Sequence, residues 1–477
     1  MTPPTALTAN PSHPWRAELA ATLRLSWPLA LANLLQMLIY AVDVMFIARL
    51  GEAPLAAAAL ATAYFGLVLW VLSGLTGAIA PLAAAELGAR APALRPVRRT
   101  VRMALWLAVV LGAAGMGLCY LAEDVMRLTG QDPAVSALAD RYMTMLVWSL
   151  VPMIVASVLR NFVAALGRPG FATLIAASGI GVNALGNYAF VFGNLGGPAL
   201  GLTGAALATI VTAVASVLAY LVMIAATPSL RRYHILSNWW RADGERFARI
   251  LRVGAPIAMT ILAEGGVFGA AAFMMGRIGP AELAAHTVAL QLAALAFQVP
   301  FGIGQAAAIR VGLFHGAANA AGIARAGWTA LALGTGFMAC TALIMLAFPK
   351  LLLSIYIDVD LPANAAMVSF ALTYLSVAAA FQLFDGVQAV AAGALRGLQD
   401  TRIPMWIAIF AYWGPGFGLA MALGFGTGLS GLGVWIGLAV GLVAAAALLV
   451  WRWRWRKALG LVPHSHHVDE KILNPPG

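Results

Sequence analysis

The sequence predicts an all-α membrane protein, with twelve transmembrane helices in two six-helix lobes related by a pseudo-two-fold axis along the membrane normal. Three observations predict it: the composition, the number of long apolar segments and an internal repeat. Hydrophobic residues make up 62% of the 477 residues and charged residues only 10%, with a mean hydropathy of +0.88. Because a soluble domain carries about 25% charged residues, we interpret the chain as a polytopic membrane protein.

Twelve segments are apolar over twenty or more residues, which is long enough to cross about 30 Å of hydrocarbon as a helix. In the first half they are 25–48, 54–80, 101–121, 138–159, 171–193 and 203–226. In the second half they are 250–276, 283–309, 326–349, 363–395, 403–425 and 431–451. The predicted domains are an N-terminal tail (1–24), an N-terminal lobe (25–227), an inter-lobe linker (228–249), a C-terminal lobe (250–451) and a C-terminal tail (452–477). The N-terminal tail lacks the short apolar core and the cleavage site of a signal peptide.

The second half of the chain repeats the first. When Leu23-Arg24 is set on Leu251-Arg252, the halves align without a gap. The residues that coincide include Pro28 with Pro256, Arg49 with Arg277, Gly51 with Gly279, Gly74 with Gly302 and Gly88 with Gly316. Since each half contains an even number of spans, both halves enter the membrane from the same side. The axis that relates them therefore runs along the membrane normal.

Basic residues indicate the orientation, because they resist translocation. The loops after even-numbered spans carry Arg90, Arg95, Arg98, Arg99, Arg160, Arg168, Arg231, Arg232, Arg241, Arg246, Arg310, Arg325, Arg396 and Arg402. The odd-numbered loops carry no charge or carry acids, namely Asp124, Asp132, Asp140, Asp358 and Asp360. We therefore expect a multi-pass protein of the cell (inner) membrane with both termini cytoplasmic. The net charge of +11 is explained by this topology and by contact with anionic membrane lipid, and not by binding to nucleic acid.

Three acidic residues, Asp43, Glu264 and Asp385, lie inside apolar segments. A carboxylate at bilayer depth costs at least about 2.5–3.5 kcal/mol, so such residues usually face a wet cavity and serve ion or substrate movement. At about 1.5 Å per residue, Glu264 and Asp385 fall near the bilayer midplane and Asp43 in the outer half of the first lobe. A structural role as buried, protonated carboxyls is the alternative.

Polar residues accompany these acids. Gln36, Tyr40 and Asp43 are spaced four and three residues apart and share one helical face, and the repeat aligns Gln36 with Glu264. Asn183 and Asn187 form a second pair four residues apart. For the amides and the tyrosine, hydrogen bonding between neighbouring helices is the alternative to a role in binding.

The sequence does not predict an enzyme or a resident cofactor. It contains no Walker A motif, nucleotide-binding fingerprint, zinc-binding His/Glu pair or serine nucleophile elbow. Cys119 and Cys340 are assigned to packing, and no metal site is expected at the histidines near the C-terminus, which are His464, His466 and His467. No protein partner is implied.

Several short motifs, in their order and spacing, resemble those of the multidrug and toxic compound extrusion (MATE) family of secondary transporters. They are Trp27-Pro28 with Asp43 and Gly51, Glu264, Ala284-Ala285-His286, Ile309-Arg310-Val311-Gly312, Phe384-Asp385, Leu395-Arg396-Gly397 with Asp400-Thr401, and Tyr412-Trp413. The resemblance covers nearly the whole chain. It departs at Thr287, where many members have Gln, and at Gly414-Pro415-Gly416, where the usual order is apolar-Gly-Pro.

The resemblance implies an antiporter that exports small-molecule drugs, dyes and toxins, often organic cations, in exchange for Na⁺ or H⁺ by alternating access. It implies that the coupling cation binds at Glu264, Asp385 and Asp43, with Glu264 and Asp385 holding Na⁺ if the protein is sodium-coupled. It places Gln36, Tyr40, Asn183 and Asn187 in the substrate cleft. The resemblance does not choose between the two coupling ions.

Three alternatives remain at this stage. A drug/H⁺ antiporter of the major facilitator type also has two six-helix halves, but the loop that begins at Gly88-Ala89-Arg90 lacks the Asp of its Gly-x-x-x-Asp-x-x-Gly-Arg motif. A flippase for lipid-linked precursors is expected to carry more basic residues at mid-depth. A membrane-embedded enzyme is disfavoured because no nucleophile or metal set converges.

Overall fold

The computed structural model describes residues 13–128, 133–196 and 198–463, and within these residues it contains helices and no strand. Within these described ranges, twelve helical segments are long and apolar enough to cross a membrane. In the first half they are α1 Pro14–Ala48, α2 Glu52–Ala89, α3 Leu94–Arg127, α4 Pro133–Ala165, α5 Gly170–Phe192 and α6 Leu202–Ala226. In the second half they are α7 Gly244–Ile278, α8 Pro280–Gly316, α9 Ala320–Ala347, α10 Pro362–Gly397, α11 Arg402–Gly426 and α12 Ser430–Arg454.

Each predicted span coincides with one of these segments, but the helices extend beyond the apolar residues. α1 begins at Pro14 and not at residue 25, and α7 begins at Gly244 and not at residue 250. The helices continue because polar turns outside the hydrocarbon still make intrahelical hydrogen bonds, which hydropathy does not measure. Asp132 and the three histidines near the C-terminus lie outside the described residues.

Several arginines that the sequence assigned to loops lie inside helices instead. They are Arg95, Arg98 and Arg99 in α3, Arg160 in α4, Arg246 in α7, Arg310 in α8, Arg325 in α9, Arg396 in α10 and Arg402 in α11. The prediction was wrong for these nine residues for the same reason, because it ended each span where hydropathy fell. Arg246 and Arg310 join the lobes, and Arg396 lies near Glu264, as described below.

Helix breaks fall at repeated positions of the two halves. Gly51 separates α1 from α2 with φ of +110°, a conformation that glycine adopts far more easily than other residues. Gly279, its counterpart in the repeat, separates α7 from α8 in an extended conformation. α11 contains a π-helical turn at Tyr412–Gly416 that includes Pro415, because proline has no N–H to continue the α-helical ladder. The irregularity falls where the sequence departs from the MATE pattern.

Contacts between the lobes obey a two-fold relation. Gly74 of α2 lies against Ala258 of α7, and Gly302 of α8 lies against Ala30 of α1. The alignment of the two halves sets Gly74 on Gly302 and Ala30 on Ala258, so the second contact is the first with the lobes exchanged. Both helix pairs approach closely because glycine has no side chain at the crossing point.

Where α2 and α8 cross, the contacts come in two copies, and the repeat exchanges one copy for the other. A Cβ at Gly88 would overlap the carbonyl oxygen of Leu313, and a Cβ at Gly316 would overlap the carbonyl oxygen of Ala85. The repeat sets Gly88 on Gly316 and Ala85 on Leu313, so this interface is self-complementary, as at a two-fold axis. The predicted fold class is therefore confirmed. One cluster of buried apolar residues, which includes Phe162, spans the first lobe and extends to Ile257 of α7 and Leu313 of α8, whereas the cluster that includes Trp435 lies within the second lobe.

Candidate functional site

Asp43 lies where α1, α5 and α6 meet. Its Oδ1 accepts hydrogen bonds from the side-chain amides of Asn183, at 3.0 Å, and Asn187, at 2.7 Å. Its Oδ2 accepts a hydrogen bond from Thr209 Oγ1 at 3.3 Å. The carboxyl group is 9% exposed and the two asparagines are fully buried. The three donors favour the charged form of this carboxyl group, which its burial disfavours.

The local sequence explains this arrangement. Asn183 and Asn187 are four residues apart, so both side chains point from the same face of α5. α5 approaches α6 closely at Gly186, where a Cβ would come 3.0 Å from that of Ala208. That approach brings Thr209, the next residue on α6, within reach of Asp43. Sequence reasoning missed Thr209, because a threonine in a membrane helix usually bonds its own backbone, as this one also does to Ala205 O.

Gln36 and Tyr40 lie on α1 before Asp43, but they are not among its hydrogen-bond donors in the described structure. Both side chains are exposed, Tyr40 by 38%. Tyr40 is close enough to Asp43 to interact with it electrostatically, as is the buried Tyr142 of α4. The structure therefore brings together Asp43 and the two asparagines, with Gln36 and Tyr40 on an accessible face beside them.

Glu264 of α7 and Asp385 of α10 form a second acidic centre, inside the C-terminal lobe. The two carboxyl groups interact electrostatically with each other. Asp385 is 7% exposed, and its Oδ1 has no hydrogen-bond partner among the described residues. A pair of neighbouring carboxyls in apolar surroundings is stable only if a proton or a cation compensates their charge.

Two residues that the sequence did not assign to a site complete this centre. Tyr412, in the π-helical turn of α11, and Arg396, in the last turn of α10, both interact electrostatically with Glu264. Arg396 lines a small cavity with Thr260 and other residues of α7, α10, α11 and α12. The family motifs that contain Arg396 and Tyr412 were the available signal, but their spacing alone does not show that both approach Glu264.

The two acidic centres lie in different lobes, and an aromatic stack lies at the junction of the lobes. Trp70 of α2 stacks on Phe301 of α8 at 6.2 Å between ring centroids, and Phe301 stacks on Phe297 at 5.9 Å. Trp70 is half exposed. Aromatic faces of this kind attract organic cations.

Two ion pairs join the lobes at the end of the bundle where α1 begins and α8 ends, which we name the basic end. Arg310 of α8 donates from Nε and Nη2 to the carboxylate of Glu18 on α1, at 2.8 and 2.6 Å. Arg246 of α7 pairs with Glu86 of α2, which also accepts a hydrogen bond from Thr100 Oγ1 at 3.0 Å. Together with the glycine contacts, these pairs close the basic end.

The chain matches the family model described as MatE over residues 28–189 and 256–422. This chain belongs to the MatE family. The two matched ranges begin at Pro28 and at Pro256, which the repeat aligns with each other, so each lobe contains one copy of the family's unit. The match confirms the resemblance found in the sequence, and the assignment to the major facilitator type does not hold.

Relatives and solved structures agree with the family. The chain is 45% identical to the "Probable multidrug resistance protein NorM" of Mesorhizobium japonicum, over 86% of this chain and 88% of that protein. It is 42% identical to the protein of the same name in Brucella suis, over the same shares. The eukaryotic MATE transporter AtDTX14 is similar in structure, with a TM-score of 0.80, 22% identity and coverage of 94% and 99%. A multidrug resistance MATE family transporter solved in an outward-facing conformation gives a TM-score of 0.81 at 21% identity, over 93% and 97%. At these identities the two structures show a shared fold.

Proposed function

We propose that this protein is a multidrug efflux antiporter that exports organic, often cationic, compounds in exchange for Na⁺ or H⁺. The relatives in Mesorhizobium and Brucella bear the name of multidrug resistance proteins at more than 40% identity. The observation that carries the proposal is the neighbouring pair Glu264 and Asp385, which lies inside an apolar lobe with one carboxyl oxygen unpartnered in the described structure. We assign the chain no enzymatic activity and no resident cofactor.

The mechanism is a competition for negative charge. Na⁺ or H⁺ that binds between Glu264 and Asp385 compensates their charge, and an organic cation attracted by the same carboxylates is released. The positive charge of Arg396 offsets part of the negative charge of the two carboxylates. A single bound cation or proton therefore brings the net charge of the centre close to zero. Entry of the coupling ion from outside is favoured by about 2.3 kcal/mol per charge per 100 mV of membrane potential.

Asp43 takes a different role in this proposal. Burial disfavours the charged form of its carboxyl group, whereas its three hydrogen-bond donors favour it; we assign it to the attraction of cations to the first lobe. Gln36 and Tyr40 provide polar contacts on the accessible face of α1 beside it. The aromatic stack of Trp70 and Phe301 provides the apolar contact for bound drug at the junction of the lobes.

Alternating access follows from the contacts at the basic end. In the proposed topology, with both termini on the cytoplasmic side of the inner membrane, this end is cytoplasmic and the described arrangement faces outward. Inward opening then requires the pairs Glu18 with Arg310 and Glu86 with Arg246 to separate as the lobes rock against each other.

Dye transport in inverted membrane vesicles tests the proposal. A fluorescent cationic dye is followed under an imposed Na⁺ gradient and, separately, under an imposed proton gradient. We expect one gradient to drive uptake of the dye by the native protein, and Glu264→Gln and Asp385→Asn each to lower the initial rate at least tenfold. Asp360→Asn is the matched control, because it makes the same chemical change at an exposed residue of the same lobe. Native rates in both site variants under both gradients would refute the acidic centre.

A further inference from the structure

The linker between the lobes is held against the start of α3. Arg98 Nε donates a hydrogen bond to the carbonyl of Tyr233 at 2.6 Å, and Trp106 Nε1 donates one to the carbonyl of Trp239 at 3.1 Å. Arg99 forms an ion pair of 2.5 Å with Asp243, which caps the N-terminus of α7. These contacts fix the linker across the first turns of α3.

Positive charge accumulates where the linker and α3 meet. Arg102 is only 3% exposed, its Nε has no hydrogen-bond partner, and no ion pair is found for it in the part of the chain that the structure describes. The charges that act on it are those of Arg98, Arg99 and Arg241, opposed by the single carboxylate of Asp243. Since Asp243 already pairs with Arg99, a nearly buried guanidinium remains without an anion, an arrangement that is unfavourable unless a ligand supplies one.

The rim of this cluster is aromatic and exposed. Trp240 is 81% exposed, Trp239 is 36% exposed and Leu236 is 53% exposed. Trp106 and Trp239 lie 6.2 Å apart between ring centroids. Tryptophan beside arginine at the end of a membrane helix is typical of the headgroup region of a bilayer.

We propose that Arg98, Arg102 and Arg241 form a binding site for the phosphate of an anionic phospholipid, with the exposed tryptophans beside its glycerol and upper acyl chain. A guanidinium matches a phosphate because it donates two parallel hydrogen bonds to it. Basic pockets on the cytoplasmic side of membrane proteins bind acidic headgroups in this way. Free phosphate has the same anionic chemistry, but it would leave the apolar rim uncovered, so the rim favours a lipid.

Such a lipid would act on the joint between the lobes. The linker leads directly into α7, whose first turn contributes Arg246 to the ion pair with Glu86 of α2. A headgroup bound to Arg98 and Arg102 of α3 and to Arg241 of the linker would hold the linker against α3, and so against the first lobe. This role is separate from the proposed exchange at Glu264 and Asp385.

Native mass spectrometry of the full chain in detergent tests the site. The protein is titrated with phosphatidylglycerol and, in parallel, with phosphatidylcholine of the same acyl chains. We expect the native protein to retain at least one phosphatidylglycerol at concentrations where phosphatidylcholine is lost. Arg102→Gln and Arg241→Gln should each weaken this retention about fivefold, and Arg454→Gln, which removes an exposed charge from the other lobe, should leave it unchanged.

Two further measurements distinguish unfolding of a variant from loss of the binding site, and a bound lipid from bound inorganic phosphate. Arg241 is exposed, so Arg241→Gln tests the site even if Arg102→Gln unfolds, which a thermal unfolding curve reports. Excess inorganic phosphate in the titration distinguishes the sources of the anion. Displacement of the lipid by phosphate at equal concentration would refute a lipid site, as would native retention of phosphatidylglycerol by folded Arg102→Gln and Arg241→Gln.

Discussion

Arg246 occupies the position in the second repeat that Glu18 occupies in the first. Each residue forms an ion pair with the opposite lobe, Glu18 with Arg310 and Arg246 with Glu86. The two-fold relation therefore preserves one end of each ion pair and reverses its charge. The partners are offset by about one helical turn, because Arg310 aligns with Leu82 and not with Glu86. Both pairs lie at the basic end, where the lobes touch.

The buried pair of Glu18 and Arg310 should control the closure of the basic end. Glu18→Gln leaves a buried arginine unpaired, which costs about 3–5 kcal/mol in the closed arrangement and much less once water enters. We expect pulsed electron paramagnetic resonance between labels at Leu19 and Ala317 to show a larger population of long distances. Exchange of the charges, Glu18→Arg with Arg310→Glu, should recover part of the short-distance population. An unchanged distribution in Glu18→Gln would contradict a role in closure.

The crossing of α2 and α8 should not tolerate a methyl group. In Gly88→Ala the new Cβ overlaps the carbonyl oxygen of Leu313, and overpacking of this kind costs about 1–3 kcal/mol. We expect slower dye efflux in proteoliposomes, because one of the two alternating states is destabilised. Gly117→Ala is the control, since nothing lies within 4 Å of its Cβ. Equal rates in the two variants would show that the close approach is not required for transport.

The charge of Asp43 should matter more than its hydrogen bonds. Asp43→Asn keeps the size of the side chain but turns one acceptor into a donor that faces the amides of Asn183 and Asn187. We expect drug resistance, measured as the minimum inhibitory concentration in a sensitive host, to fall close to that of the empty vector. Thr209→Val removes only the 3.3 Å hydrogen bond and should reduce resistance less. Full resistance in Asp43→Asn would refute the need for this charge.

Asp243 should make the docking of the linker depend on pH. Burial acts to raise its pKa, but hydrogen bonds from the Arg99 side chain and the Arg246 backbone N–H outweigh it and hold the pKa below its usual value. The stabilisation is therefore complete above the unfolded pKa of about 3.9 and is lost as the pH falls through the lower folded pKa.

Hydrogen exchange of the linker amides measures this effect. Asp243→Ala removes the cap of α7, worth about 0.5–2 kcal/mol, so exchange near residues 243–247 should be faster at pH 7, by about two- to thirtyfold. The difference from the native protein should shrink in acid. Asp358→Ala, at an exposed loop, is the control. A difference that persists below the folded pKa would contradict the linkage.

The sequence predicted the large-scale architecture because two of its signals are strong. Hydropathy gives the number of spans, and glycines such as Gly74 and Gly302 hold the repeat in register because they lie where the lobes touch. The clustering of Asp43 with Asn183 and Asn187 follows from helical spacing once α1 and α5 are neighbours. Asp43, Glu264 and Asp385 were visible because a carboxylate is rare in apolar segments.

The residues that sequence reasoning misplaced share a physical cause. Arg310 and Arg396 were assigned to loops because hydropathy reports transfer into hydrocarbon and not the end of a helix. Glu18 was assigned to the N-terminal tail for the same reason. Thr209 gave no signal, since its hydroxyl is compatible with an ordinary helix. Each of these residues depends on a partner that is distant in sequence, which one sequence without relatives does not indicate.

Because Glu18 and Arg246 carry opposite charges at equivalent positions, each half of the chain fits the other half better than a second copy of itself. Two copies of the first half, assembled in the same way, would set Glu18 against Glu86, and two copies of the second would set Arg246 against Arg310. Like charges in such a buried place repel strongly, so neither half is suited to a homodimer. Halves expressed as separate chains should combine only with each other, and a duplicated ancestor that worked as a symmetric dimer could not have carried these four charges together.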